Sequence, residues 1–440
     1  MSRCWPILAV ALLAAPTFAD PCGMVPPIYS GDGVPITRVG EQMTYVFYKD
    51  GVETFVIKPG FEGKVDEFGM LIPFPAAPAI RKVPDEIFEH IAAAIDPPEI
   101  VVEHYLPEPA AAEGGGGGGG DDGEFGFHSV NVIRQEAVGM YEVAVLEAGS
   151  AAALKKWMDN HGYKYPAGMD AACEDYVEAG WCFVAVKTKV GAKRGVAPRP
   201  GLRKVDSRLP SGATFDGQVQ AMGFRFKSDE LVVPMKLSAF NAGELRNIVY
   251  LLTDGPRKIR LIPEEYVVRQ INGRQLIKNL TQPLPVRILG GKEKDLPASI
   301  RKELPKRRDP ATRSGAARDL FAADLLAAGS GRLDLPQDRR EKELLVLSER
   351  LGLRGTNIDQ LHADSLANER AKTVSTALKS LAEMTLTVVD GDFPREVLAK
   401  HNLTFGEYKM PAKRNNRSAY DAHLRMSHAE KKKLDADIAP

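Results

Sequence analysis

Two apolar runs separated by Asp50-Gly51 constrain the fold of this chain more strongly than its composition does. The stretch "TYVFYKDGVETFVIK" covers residues 44–58 and places a dense apolar run on each side of that dipeptide. A type I′ turn needs positive φ at both central residues, which Asp-Gly tolerates, and its twist matches that of paired strands. The pattern therefore predicts a β-hairpin, and with it an antiparallel sheet.

Strand and helix patterns alternate irregularly through the next 200 residues. Apolar periodicity and capping residues predict helices that begin at 83–86, after Ser150 and at Asp170. Further strands are predicted at about 68–74, 129–135, 140–147, 181–189, 217–227, 231–238, 247–253 and 257–262. This order lacks regular β-α-β alternation, so residues 20–290 are predicted to form an α+β domain with a mixed, largely antiparallel sheet.

An acidic, glycine-rich segment interrupts this domain. Residues 96–124 contain eight Asp or Glu and neither Lys nor Arg, and residues 114–120 are seven consecutive glycines. Glycine loses more backbone entropy on ordering than any other residue, so a regular element is disfavoured there. We expect a flexible insertion at about 96–126. Loose binding of Ca²⁺ by its carboxylates is a weaker alternative, because the spacing of a calcium loop is lacking.

The C-terminal third has a different composition. Residues 292–318 carry nine Lys or Arg against four acids and several prolines, and this predicts a basic linker at 291–318. Residues 319–412 are predicted to be a mainly helical region with one short strand near 386–389, and helical periodicity is found at about 311–328, 338–351 and 358–383. Residues 413–440 are predicted to be a polar tail.

The N-terminus is typical of a secretory signal peptide. Arg3 precedes a short apolar run, and Thr17-Phe18-Ala19 places small residues at the −3 and −1 positions for cleavage after Ala19. The run is too short to cross a bilayer, and no later segment approaches the apolar length of a transmembrane helix. We therefore expect a periplasmic or extracellular protein whose mature chain has no transmembrane helix.

The cysteines leave several alternatives open. Cleavage after Ala19 would leave an odd number, Cys22, Cys173 and Cys182, which permits at most one internal disulfide. If the helix that carries Cys173 folds back on the strand that carries Cys182, the two cysteines come to lie side by side. A disulfide between them is then feasible. Alternatively Cys22 pairs with either of them. A lipid anchor at Cys22 is excluded, because the preceding Asp20-Pro21 is unsuitable for that cleavage.

A basic loop is the strongest candidate for a binding segment. It covers residues 191–214 between two predicted strands, and loops on a rigid sheet are common binding sites. We expect it to contact an anionic envelope polymer or the acidic insertion of the same chain; the alternative is an ordinary solvated loop. Its basic residues are Lys193, Arg194, Arg199, Arg203, Lys204 and Arg208.

The sequence contains none of the common motifs of catalytic chemistry. The glycine run has no Lys-Ser/Thr after it, the histidines lack H-E-x-x-H spacing, and no G-x-S-x-G is present. Cys182 lies in the apolar stretch "WCFVAV", where a buried structural thiol is more plausible than a nucleophile. No catalytic, metal-binding or cofactor-binding residue is assigned, and no cofactor is expected.

Several segments resemble a family of secreted bacterial proteins known as domain of unknown function 2330. The resemblance covers residues 22–260 in order and spacing, although a second cysteine that family members often carry soon after the first is replaced here by Met24-Val25-Pro26-Pro27. It implies secretion or envelope association and no established activity. The matching segments are Cys22-Gly23, "VFYKDGVETFVIKPGFEG", "FGMLIPFPAAP", "YEVAVLEAGSAAALKKWMDNHGYKYP", "DYVEAGWCFVAVK", "FRFKSDELVVPMKLS" and "IVYLLTDG".

These observations predict an exported protein that binds or supports the cell envelope rather than an enzyme. Its partner would be an anionic envelope polymer or another envelope protein. A formal net charge of zero gives no general attraction to nucleic acid, so nucleic acid is not an expected partner. The alternative is a secreted hydrolase that acts on envelope polymers through a site without a recognisable motif.

Overall fold

The computed structural model describes most of the chain between residues 42 and 411. The described residues are 42–58, 67–84, 86–97, 100–103, 141–161, 163, 165–190, 208–209, 221–240, 246–289, 291–296, 298–333 and 372–411. The predicted signal peptide, the polar tail, the helix at 338–351 and the strand at 129–135 lie outside them. Nearly all of the glycine-rich insertion does too.

A seven-stranded sheet forms the centre of the fold. Its strands run in the order β13-β15-β11-β1-β2-β9-β4, and all neighbours are antiparallel except β1 and β11, which are parallel. The bounds are β1 Gln42–Lys49, β2 Val52–Lys58, β4 Ala79–Lys82, β9 Met222–Lys227, β11 Arg246–Asp254, β13 Val267–Asn272 and β15 Met384–Asp392.

The predicted hairpin is confirmed. Strands β1 and β2 pair in the register Lys49↔Val52, and the turn residues Asp50 and Gly51 have φ angles of 51° and 73°. Both values are positive, as a type I′ turn requires. The hairpin lies inside the central sheet, because β11 pairs with the other edge of β1 and β9 with the other edge of β2.

A second sheet packs on one face of the first. Strand β7 pairs with β3 and β6 on its two sides and with the short β8 near its end. The core between the two sheets includes Phe55 and Phe224 of the first sheet and Phe74 and Val184 of the second. The bounds are β3 Glu67–Phe74, β6 Tyr141–Glu147, β7 Cys182–Val190 and β8 Arg208–Leu209.

Helices cover the outer face of each sheet. Helices α1 (Ile87–Ile95), α4 (Gly273–Thr281) and α6 (Pro310–Ser330) bury apolar side chains against the seven-stranded sheet. Helices α2 (Ala151–Asn160) and α3 (Asp170–Glu178) pack on the second sheet. The order of layers is therefore helices, sheet, sheet, helices, and this places the described residues in the α+β class that the sequence predicts.

Smaller elements complete the description. Strand β16 lies between β10 and β12, and β14 pairs in parallel with β5. Their bounds are β5 Ile100–Glu103, β10 Val232–Val233, β12 Arg257–Ile259, β14 Val286–Leu289 and β16 Leu403–Glu407. Further helices among the described residues are α5 (Ala298–Arg308) and α7 (Arg395–Lys400), and 3₁₀ helices lie at Lys236–Phe240, Glu264–Tyr266, Glu293–Asp295 and Lys379–Glu383. Residues 372–378 are also helical.

Two sequence-based boundaries differ from the structure. Residues 298–308 and 310–330, predicted in part as a linker, are helical. Asp309 caps α6 by accepting from the Ala311 N–H, and Pro310 occupies the first helical position, where its missing N–H costs nothing. Strand β5 also lies within the predicted insertion, because residues 100–103 find a partner in β14 about 190 residues later in the chain.

The predicted division between a sheet domain and a helical region is not seen in the described residues. Strand β15 lies between β11 and β13, so a strand beyond residue 380 occupies the interior of the central sheet. Its sequence "MTLTVVDGD" is buried on both faces over most of its length, as expected for an interior strand that is covered on both sides. The first 290 residues and the C-terminal region therefore share one sheet.

Candidate functional site

Asp324 and Arg225 form a buried ion pair where helix α6 meets the seven-stranded sheet. Nη2 of Arg225 lies 2.5 Å from Oδ1 of Asp324, and neither residue is appreciably exposed. The Thr54 hydroxyl donates to the same oxygen at 2.8 Å, and the Tyr45 hydroxyl donates to Oδ2 at 3.0 Å. The carboxylate of Asp324 therefore accepts from three different strands, and such charge-assisted bonds are the stronger kind.

Strand alternation places these donors together. In β9, Phe224 and Phe226 face the core between the two sheets, so Arg225 faces the helices. Arg225 lies directly opposite Thr54 in the β2–β9 ladder, and its Nε donates to the Thr54 hydroxyl at 3.3 Å. Its Nη1 donates to the carbonyl oxygen of Leu333 at 3.0 Å. The guanidinium is thereby held from both sides.

Arg81 connects this cluster to the surface. Its Nη1 lies 3.6 Å from Oδ1 of Asp324, and 26% of its side chain is exposed. Burial, and then the nearby charge of Asp324, raise the pKa of Tyr45 well above its ordinary value, so the phenol stays protonated and donates. The cluster is thus a structural contact that joins α6 to four strands.

Glu53 is a second buried carboxyl group, on the opposite face of the sheet. It is fully buried, and its Oε2 accepts from the backbone N–H of Val232 in β10 at 3.3 Å. Its Oε1 has no hydrogen-bond partner among the described residues. Burial raises the pKa of Glu53 well above its ordinary value, because the charged form loses its hydration. The group links β2 to the small sheet that contains β10.

Cys173 and Cys182 are free thiols that pack in different parts of the core. Cys173 belongs to helix α3 and faces the core between the helices α2 and α3 and the second sheet, whereas Cys182 faces the core between the two sheets and its Sγ donates to the carbonyl oxygen of Phe74. In β7 it is Phe183, the next residue, that faces α3, so alternation turns Cys182 away from Cys173. The predicted bridge between these two is not formed. Cys22 lies outside the described residues, and its pairing stays a prediction.

Neither thiol is placed as a nucleophile. Burial raises the pKa of Cys173 to about 11, with the charges of Asp170 and Glu174 acting in the same direction. Burial also raises the pKa of Cys182. A nucleophilic cysteine needs a lowered pKa and access to solvent, so both residues have the character of structural thiols.

The predicted basic loop is described only at its two ends. Strand β7 ends at Val190, and Arg208 returns in β8, where the register pairs Lys189 with Arg208. The other predicted residues, Lys193, Arg194, Arg199, Arg203 and Lys204, lie outside the described residues. Their role in contacting an anion stays a prediction.

A groove of about 460 Å³ lies where helices α4, α5 and α6 meet. Three prolines and a leucine contribute much of its wall. Its polar groups are already engaged, since the Thr281 hydroxyl donates to the Ile277 carbonyl oxygen and Arg318 pairs with Asp319. The lining residues are Leu280, Thr281, Pro283, Pro305, Asp309, Pro310 and Arg318.

Among the described residues, no group of three or more His, Cys, Asp or Glu is arranged to hold a metal ion. The helices in that same part of the chain are also too short or too polar to cross a bilayer. Both findings apply to the described ranges alone.

Comparison with protein families identifies the relatives of this chain. The family model described as "Uncharacterized protein conserved in bacteria (DUF2330)" matches residues 19–272, more than half of the sequence. The chain belongs to this family. The resemblance predicted from the sequence segments is thus confirmed. The match includes Tyr45, Thr54 and Arg225, whereas Asp324, which bonds to all three, lies beyond it.

Comparisons with individual proteins add little. No curated protein matches the chain in sequence. Among solved structures, the crystal structure of baculovirus P35 is similar over 53% of this chain and 69% of that chain, with 13% sequence identity and a TM-score of 0.26. A similarity this low carries no conclusion about fold or function.

Sequence reasoning missed the buried ion pair of Arg225 and Asp324. Arg225 stands between two phenylalanines in "GFRFK", and Asp324 is a lone acid in the apolar half of α6, "FAADLLAAG". A single charge within an apolar run is the available signal, since such a charge must be paired when buried. The partner could not be predicted, because Thr54 and Asp324 are 270 residues apart in the chain.

Proposed function

We propose that this protein is exported and binds an anionic polymer of the bacterial envelope through the basic segment between β7 and β8. The observation that carries the proposal is the anchoring of that segment: β7 enters it at Val190, and β8 leaves it beside the same strand. Six basic residues lie between Lys193 and Arg208, with one acid among them. Both ends of a strongly cationic segment are thereby attached to one sheet.

The buried ionisable groups support a binding role over a hydrolytic one. Glu53, Cys173 and Cys182 have raised pKa values, as catalytic groups often have, but all three are enclosed in the core. A polymer cannot reach groups in those positions without unfolding the layers around them. Binding through a cationic segment requires no access to those buried groups.

Export is tested first. The full-length chain, expressed in a bacterium with a periplasm, should be recovered outside the cytoplasm, and N-terminal sequencing should begin at Asp20. Recovery in the cytoplasm with Met1 or Ser2 at the N-terminus would refute export. The binding measurement does not depend on that result.

Binding is tested with charge reversal and a matched control. In the test variant, the six basic residues between Lys193 and Arg208 become Glu. In the control, six exposed basic residues elsewhere become Glu, namely Lys156, Arg274, Lys278, Arg301, Lys302 and Lys379. Both variants change the net charge equally, so only the position of the charges differs.

Co-sedimentation with a purified envelope fraction and titration with polyglutamate give the readouts. We expect the test variant to bind at least about tenfold more weakly, and wild-type binding to weaken with salt because dissolved ions screen charge–charge contacts. Equal losses in both variants, or none in the test variant, would contradict the proposal. If the segment instead binds the acidic insertion of its own chain, replacing the acids at 108–124 by Asn or Gln will strengthen polyglutamate binding.

A further inference from the structure

Strand β6 presents a long, unpaired edge in the described part of the chain. It bonds to β7 along its full length, from Tyr141↔Thr188 to Glu147↔Cys182, and its other edge has no partner among the described residues. An unpaired edge displays a row of backbone N–H and C=O groups that can accept another strand. At seven residues, β6 is longer than a typical protected edge.

The face of β6 beside this edge is apolar and exposed. Val143 and Val145 are 39% and 45% exposed. They lie opposite Val186 and Val184 of β7, which are fully buried in the core between the two sheets. The two valines therefore extend the apolar surface of that core out to the rim of the second sheet, where burial against another surface is favourable.

One edge of the seven-stranded sheet, formed by β4, differs from this one. Strand β4 is only four residues long, and Ile80, its exposed apolar residue at 38%, is followed by Arg81 and Lys82. Short edges that carry cations are a common protection against pairing. Of these two edges, β6 is thus the one suited to accept a strand.

The sequence of β6 is complementary to itself in one antiparallel register. With a two-fold axis at Ala144 of "YEVAVLE", Val143 of each copy lies opposite Val145 of the other. Glu142 falls opposite Leu146, and Glu147 opposite Tyr141, so no acid faces an acid. Moving the axis to Val145 would place Val143 opposite Glu147 and lose the valine pairs, which favours the axis at Ala144.

From these observations we propose that two copies of this chain dimerise by antiparallel pairing of β6 with β6 about Ala144. The two second sheets then form one continuous sheet, and the four exposed valines cover one another. The contact is isologous and consumes both edges, so it closes at two copies instead of propagating.

Sedimentation velocity of the mature chain over a wide concentration range is the test, with Val143→Lys/Val145→Lys as the variant and Ile80→Lys as the control. We expect a dimer for the wild type and the control, and a dissociation constant at least about tenfold higher for the double variant. Circular dichroism verifies that the double variant folds, as expected for exposed positions. A monomeric wild type, or a dimer that survives both lysines, would overturn the proposal.

Cross-linking tests the register. In a Cys22→Ser background, Ala144→Cys should give covalent dimers with a short bis-maleimide, because the two residues lie opposite each other. The control Ala152→Cys, exposed on α2, should remain monomeric under the same treatment. A monomer whose β6 amides are nevertheless protected from hydrogen exchange would show that the chain's own residues cover this edge, and this would also refute the proposal.

Discussion

Replacing Asp324 by Asn should destabilise the protein strongly, although the two side chains have nearly the same shape. The amide oxygen can still accept from one of the two hydroxyls of Thr54 and Tyr45, but the amide nitrogen cannot accept from the other. The loss is therefore the negative charge beside Arg225 together with one acceptor. Arg225 has only 2% of its side chain exposed, and its guanidinium would then remain buried with its charge poorly compensated. Breaking a buried ion pair in this way costs about 3–5 kcal/mol.

The matched control lies in the same helix. Asp319 pairs with Arg318 at 3.2 Å, and both side chains are about one-third exposed. Exposed pairs contribute about 0.2–1 kcal/mol, so Asp319→Asn should change the free energy of unfolding by less than about 1 kcal/mol. The difference between the two variants isolates the effect of burial.

A double-mutant cycle identifies the partner. Arg225→Met alone leaves the Asp324 carboxylate without its nearest cation, whereas Asp324→Asn with Arg225→Met removes both charges and retains the amide oxygen as an acceptor for one of the two hydroxyls. We therefore expect the double variant to be more stable than Asp324→Asn by at least about 1 kcal/mol. Urea unfolding followed by fluorescence measures each free energy. Additive single effects, or an Asp324→Asn loss no larger than that of Asp319→Asn, would refute the reasoning.

Three further predictions follow from other parts of the structure. Because burial raises the folded-state pKa of Glu53, its contribution to stability is present at low pH and is lost as pH rises through that pKa. Glu53→Gln should therefore gain stability relative to wild type as pH rises above about pH 4, and an opposite trend in urea unfolding would contradict this. A Cβ at Gly273 would lie 1.6 Å from the Leu381 carbonyl oxygen, so Gly273→Ala should lower the free energy of unfolding by about 1–3 kcal/mol. A Cβ at Gly315 would lie 3.9 Å from the Cβ of Ala311, so the control Gly315→Ala should not lower it. A chain of residues 20–290 lacks β15 and α6, and circular dichroism should show it to be largely unfolded, whereas a chain of residues 20–411 should be folded. Cooperative unfolding of the shorter chain would show that the central sheet forms without β15.

Local signals in the sequence predicted much of the secondary structure. Ser150 caps α2 as expected, with its hydroxyl accepting from the Ala153 N–H at 3.1 Å. The apolar faces of α1 and α2 and the strands around 68–74 and 182–190 lie close to their predicted positions. These features depend on residues a few positions apart, and capping and periodicity report such short-range contacts.

The prediction for residues 231–238 shows where local reasoning stops. Only Val232–Val233 forms a strand there, and a 3₁₀ helix follows at Lys236–Phe240. Strand β10 pairs with β16, about 170 residues later in the chain, and that partner is itself only five residues long. The length of such a strand depends on its partner more than on its own residues.

The sequence by itself thus determined the hairpin, the α+β class, the family and the placement of most helices and strands between residues 42 and 290. The tertiary structure decided that β15 completes the central sheet, that two sheets pack face to face, and that Asp324 meets Arg225. It also decided that Cys173 and Cys182 face different cores. The reason is physical: periodicity, turns and caps arise between near neighbours, whereas strand order and buried charge pairs are selected by packing among segments hundreds of residues apart.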